Sequence, residues 1–149
     1  MIRLVLLLAL TAHCVNAGCP NAWKEFNGFC YAFNIEKVNW LVAAASCKVY
    51  TARLPEIDSS EKNEFLLKEI AKLNSGPSWI GASSRLHHLV WEWVPSLANL
   101  NRFSNWQPGE PNDRAPSEHC AVIQNESGKK GWVDVSCFLE KRFICEKKL

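Results

Sequence analysis

Glu110, Asn112, Glu118 and Asp134 place four oxygen-bearing side chains in two short stretches of chain, residues 103–120 and Trp132-Val133-Asp134. Carboxylates and amide carbonyls are the ligands that a hard cation such as calcium takes, about six to eight oxygens at a time. Pro111 separates Glu110 from Asn112 and stiffens the loop between them. An X-Pro bond is also the one peptide bond at which the cis form is readily accessible. A cis bond there turns the Glu110 and Asn112 side chains toward one point. An acceptor and a donor placed beside a bound cation suit the vicinal hydroxyls of a sugar, whose oxygens would complete the metal's shell. Short motifs recur by chance, so the setting of these residues has to carry the reading.

The chain opens with Arg3 and an apolar run over residues 4–10, and Val15-Asn16-Ala17 offers small residues for cleavage before Gly18. That is the layout of a secretory signal peptide over residues 1–17, too short to span a membrane. Residues 18–149 then make one compact exported domain, with no membrane insertion expected. Seventeen Lys and Arg against 15 Asp and Glu give +2, and loss of Arg3 with the leader brings the balance nearer neutral. Such a chain is not built for nucleic acid or an anionic membrane. Of the seven cysteines, Cys14 leaves with the leader; Cys19, Cys30, Cys47, Cys120, Cys137 and Cys145 remain. An even number in an exported chain reads as a disulfide framework whose pairing spacing cannot choose. Zinc fits poorly, because there is no Cys-x-x-Cys pair and His87, His88 and His119 lack ligand spacing.

The elements that must position the four oxygens follow from local pattern. Trp23, Phe26, Phe29 and Cys30-Tyr31-Ala32-Phe33 suggest two short strands around an Asn27-Gly28 turn. Asn39 caps a helix with Trp40, Ala43, Ala44 and Cys47 on one face. Arg53-Leu54-Pro55 forces an extended exit. A second helix starts at Asp58 or Ser59, where Asp58 and Glu61 have capping-box character, and Leu66, Ile70 and Leu73 form its buried stripe until residues 74–77 stop it. Trp79-Ile80-Gly81-Ala82, residues 90–94, residues 119–123, residues 132–135 and residues 142–145 read as strands, and residues 95–117 as a long loop that Phe103 and Trp106 pin to the body. The plan is α+β.

Trp79-Ile80-Gly81, Asn105-Trp106, Glu110-Pro111-Asn112, Trp132-x-Asp134 and Phe143-Ile144-Cys145-Glu146 stand in one order over residues 18–149, and in this the chain resembles the C-type lectin-like domain family. Gly18-Cys19-Pro20, Gly81-Ala82-Ser83 and Trp91-Glu92-Trp93 are similar to perlucin-like and other small secreted invertebrate lectins. The resemblance implies a carbohydrate-recognition domain with two helices packed on short antiparallel sheets, Pro111 cis, and the pairs Cys19–Cys30, Cys47–Cys145 and Cys120–Cys137. It implies that Glu110, Asn112, Glu118 and Asp134 hold one calcium ion and a mannose-type sugar, since Glu-Pro-Asn goes with mannose in the family and Gln-Pro-Asp with galactose. Innate recognition is the role it suggests.

One position departs from the family. An Asn usually precedes the last Asp, and here it is Val133, which offers calcium no oxygen and a sugar no donor. A lost contact of that kind costs about 1.5–3 kcal/mol. The auxiliary calcium site of some relatives is also incomplete: Asp113 is present, but Ser84 and His88 stand where acidic ligands are expected. Val133 therefore supports an alternative, a lectin-like scaffold with a weakened sugar site that binds a protein or a mineral surface, as in biomineralisation. Near-neutral charge argues against the mineral.

The remaining residues have plainer roles. The tryptophans, Trp132 included, are expected in the core rather than as sugar platforms. Asn125-Glu126-Ser127 is a glycosylation acceptor pattern. No nucleophile elbow or triad pattern is present, so no enzyme is expected. The cysteines, all paired within the chain, leave non-covalent association as the route to a homo-oligomer.

Overall fold

Asn27 and Gly28 both take positive φ, 47° and 75°, as a two-residue hairpin turn requires, and they join β1 (Lys24–Phe26) to β2 (Phe29–Val38). The computed structural model describes residues 18–87, 90–115 and 117–149. The leader expected over residues 1–17 and the position of His88 lie outside the described residues. α1 (Trp40–Val49) begins where expected, with the Asn39 side chain accepting from the Val42 amide at 3.0 Å. α2 (Ser60–Lys72) is capped by Ser59, whose hydroxyl accepts from the Lys62 amide at 3.3 Å. The Asp58–Glu61 capping box does not form; Asp58 instead pairs with the Lys62 ammonium at 3.2 Å. The buried stripe of α2 is Leu66, Leu67 and Ile70, whereas Leu73, expected within it, is the C-cap and half exposed.

The remaining strands are β3 (Ser78–Ser83), β4 (Glu92–Trp93), β5 (Ala98–Asn99), β6 (Cys120–Glu126), β7 (Lys129–Val135) and β8 (Lys141–Lys148). The run expected over residues 90–94 shrinks to the two residues of β4. The expected loop carries β5, a 3-10 turn (Leu100–Arg102) and, just before it, a second cis peptide at Val94–Pro95. The strands pair in the order β1-β2-β8-β3-β4-β5, with β6 on β3 and β7 on β6. All pairs are antiparallel except β3 with β8. At Gly81 an added Cβ would lie 3.1 Å from the carbonyl oxygens of both Leu54 and Pro55, so the close docking of that segment on β3 requires glycine.

Alternation along the strands sorts the core onto two faces. Ile80, Ala82, Ala121, Ile123, Trp132 and Ile144 pack with Leu66, Leu67 and Ile70 of α2. Trp79, Cys120, Val122, Phe143 and Cys145 pack with Trp40, Ala43 and Cys47 of α1. The sheet is thus held between the two helices, an α+β arrangement. Three disulfides form the pairs the resemblance implied, Cys19–Cys30, Cys47–Cys145 and Cys120–Cys137. The buried Glu146 carboxylate ties α2, the exit segment and β8 together: it accepts from the Glu56 amide at 3.0 Å and faces Arg53 at 3.1 Å and Lys62 at 3.5 Å. Burial still raises its pKa, and these cations only partly offset that.

Candidate functional site

The loop over residues 103–118 is held to β7 by paired backbone bonds. The Trp132 amide donates to the Asn105 carbonyl at 2.8 Å, and the Gln107 amide to the Trp132 carbonyl at 2.9 Å. This approach is so close that a Cβ on Gly131 would lie 2.7 Å from the Asn105 oxygen, and Gly131 has φ of 131°. Trp132 itself is fully buried, its indole N–H donating to the side-chain Oδ1 of Asn63 at 2.9 Å. Trp93, Phe103 and Trp106 meet it edge-on at 5.5, 5.9 and 5.7 Å. Trp132 is therefore core, and Phe103 and Trp106 do pin the loop. Trp79 and Trp93 are buried as well, while Trp91 and Trp106 are only half buried, meeting each other at 4.7 Å.

Beyond Trp106 the chain reaches the Glu110–Pro111 bond, which is cis. Glu110 and Asn112 meet, the Asn112 amide nitrogen donating to the Glu110 carboxylate. Asp134 is 2% exposed, and its two oxygens accept from the amides of Asn112 at 3.0 and 3.1 Å and of Asp113 at 2.8 Å. Its carboxylate thus fixes the backbone that carries Asn112. Burial, then a hydrogen bond and charge repulsion from Asp134, push the Glu110 pKa up to about 7; the Asn112 bond opposes this and the Glu118 charge adds to it. Glu118 accepts from the Ala115 amide at 3.3 Å.

Among the described residues, no three His, Cys, Asp or Glu side chains are gathered into a ready-made metal cluster. The interlocked group is Glu110, Asn112 and Asp134, with Glu118 close enough for its charge to act on Glu110. Its donor chemistry, carboxylates and an amide carbonyl that repel one another without a counter-charge, fits a hard cation. Asp113 adds a buried carboxylate oxygen without a hydrogen-bond partner. It borders a cavity of about 90 Å³ shared with Ser84, Trp91, Pro111, Glu118 and Asp134. Ser84 contacts the His119 ring at 3.2 Å instead of offering a charge.

Val133 faces away from this group. Trp132 packs in the α2-side core, while Val133 and Val135 are half buried against the α1-side core. Asn125 lies in β6 with its amide nitrogen, the atom a glycan would occupy, donating to the Leu67 carbonyl at 3.0 Å. His87 is exposed, 3.1 Å from Glu92. The part played by Trp91 in walling the small cavity was not foreseen, because a lone aromatic beside a two-residue strand carries no positional signal.

The Lectin C-type domain family matches residues 36–147. Human C-type lectin domain family 4 member E is 34% identical over 129 residues, 86% of this chain. This chain spans 58% of the length of that protein and 59% of its mouse counterpart. The C-type lectin domain of murine dendritic cell inhibitory receptor 2, solved in complex with N-glycan, superposes with a TM-score of 0.78 at 27% identity, covering 89% of this chain and 100% of that one. Herring type II antifreeze protein superposes with a TM-score of 0.77 at 31% identity, covering 88% and 99%. The chain belongs to the C-type lectin domain family.

Proposed function

We propose that this chain is an exported, calcium-dependent lectin for mannose-type or related glycans, of the perlucin-like kind and acting in innate recognition. The observation that carries the reading is the interlocked Glu110–Asn112–Asp134 group behind a cis Pro111. Glu110, Asn112, Glu118 and Asp134 would hold the ion. Bound calcium supplies direct attraction for the oxygens of two adjacent sugar hydroxyls. The protein's own residues set orientation. Asn112 donates and Glu110 accepts, so the bond they now share is exchanged for one bond each to the sugar. Asp134 holds the Asn112 and Asp113 amides in place, and the Trp132 contacts keep the loop from swinging away. Such a shallow site binds one sugar weakly and gains from several sites held together. Glycosylation of Asn125 belongs to the same exported reading and would have to displace its bond to Leu67.

Calcium-dependent melting tests the metal half of the proposal. A ligand at a hundredfold excess over its Kd stabilises the folded state by about 2.7 kcal/mol, so calcium is expected to raise the Tm by several degrees, and Glu110→Gln to remove most of that rise. An unchanged Tm up to millimolar calcium, the range of weak extracellular sites, would contradict it. A second reading has its own support. Val133 packs into the α1-side core and gives the site no oxygen, and the antifreeze protein shares this fold. In that reading the domain is a lectin-like scaffold for a protein or mineral surface, and neither calcium nor mannose alters it.

A further inference from the structure

α1 is apolar on both of its sides. Trp40, Ala43 and Cys47 are buried against the sheet. Leu41, Ala45 and Val49, each one turn from the next, make a second stripe on the outside, flanked by Val42. Leu41 is 51% exposed, Val42 45% and Val49 78%. Lys48 is the one charged residue of the helix. A helix apolar all round is ordinarily covered all round. The Trp40 amide donates to the Cys137 carbonyl at 3.1 Å, which brings Phe138 and Leu139, 76% and 46% exposed, to the start of the helix. Between α1 and the segments at residues 51–54 and 94–95 runs a groove of about 580 Å³, walled mainly by Trp40, Leu41, Ala44, Ala45, Leu54 and Pro95.

We propose that this face pairs two copies of the chain about a two-fold axis, α1 against α1, in a reversible non-covalent dimer. The exposed side chains amount to on the order of 600 Å² of apolar surface, the upper end of what a monomer leaves open and close to the ~800 Å² each partner gives a standard interface. The patch carries both a ridge, Leu41 to Val49, and a groove beside it. Two-fold pairing sets the ridge of each copy against the groove of the other, because the same patch serves both partners. The chemistry disfavours other occupants. A helix that lies on lipid carries several Lys or Arg on its polar side, and α1 carries only Lys48. Two cations, Lys48 and Arg53, also line the groove; Arg53 is engaged by Glu56 and Glu146, so an acidic peptide would find Lys48 alone and a basic peptide no partner. All six cysteines of the described domain are paired within the chain, so no covalent link is involved. The dimer places two sugar loops on one particle, but its existence does not depend on the sugar reading.

Sedimentation of the protein recovered from the medium of cells expressing the full chain tests this, with chelator present and sugar absent. From roughly 1 to 100 µM, the range of reversible association, the mass is expected to rise from monomer to dimer. Val49→Lys and Leu41→Glu, both at exposed positions, should each weaken association at least tenfold while leaving the melting temperature and any mannose retention of the single domain unchanged. A wild-type monomer across the whole range would overturn the proposal, as would a dimer that both variants preserve. Capture of a monomeric wild type by phosphatidylcholine vesicles, lost on Val49→Lys, would overturn it in favour of a lipid surface. Failure to bind mannose by a protein that still dimerises would count against the lectin reading alone.

Discussion

Val133 and Asp134 are neighbours in β7 and have opposite fates. Asp134 lies on the loop side and gathers two loop amides, while Val133 packs into the core on the α1 side. Because Val133 points to the α1 side rather than to the loop, Val133→Asn is expected to leave calcium binding within about threefold of the parent and to cost about 1 kcal/mol of stability from lost packing. Calorimetric calcium titration and urea unfolding of the same variant would separate the two effects; calcium binding strengthened about tenfold or more would show that this position does reach the ion. The grouping of Glu110 with Asn112 was legible at this scale, because their types and the Glu-Pro-Asn spacing are unusual together. The bonds from the Asn112 and Asp113 amides to Asp134 were not, since a backbone amide leaves no mark on a sequence.

At the scale of elements, the loop stands on β7 only because Gly131 lacks a side chain. Gly131→Ala is expected to lose at least about 2 kcal/mol and to weaken calcium binding, with the indole fluorescence of the Trp132 cluster reporting loop release; a variant as stable as the parent would mean that Asn105 yields without cost. Glu69 of α2 plays a different part, joining Lys24 of β1 and, at 2.7 Å, Lys72. Burial alone would raise its pKa, but hydrogen bonds from the two lysines outweigh this and hold it below 4.5. A depressed folded-state pKa stabilises above the unfolded-state value and is lost as pH falls through the folded one. Wild type should therefore exceed Glu69→Gln by on the order of 1 kcal/mol near pH 7, both lysines being largely in solvent, with the difference vanishing by about pH 3. A pH-independent gap in urea midpoint would contradict the ion-pair account. Hairpin and helix starts were legible here from Asn27-Gly28, Asn39 and the apolar spacing. The sequence leaves the cap of α2 open between Asp58 and Ser59, because both are good caps and only tertiary contacts choose between them; Ser59 takes the position. β4 was legible within residues 90–94 but shorter than its alternating run, and β5 was hidden because a two-residue strand has no periodicity.

For the whole molecule, the two-sided core follows from alternation in β6 and β8, which the apolar runs at residues 119–123 and 142–145 already contain. The disulfide pairing did not follow from spacing; it rested on the likeness to the family, and the three observed bonds match it. The outward apolar stripe of α1 went unread, because Leu41, Val42 and Val49 look like core residues until the sheet claims the other side of the helix. What unites these levels is a sheet and tryptophan cluster holding one loop so that Glu110 and Asn112 meet at its tip, the pair we propose to receive a sugar diol.

Retention of the secreted protein on immobilised mannose in calcium, followed by a chelator wash, tests that claim most directly. Retention that the chelator abolishes, and that Asn112→Asp or Glu110→Gln reduces at least tenfold, is the expected result. Flow-through in calcium by a protein that is folded and binds the ion would contradict it, and would assign the loop to a partner other than a mannose-type glycan.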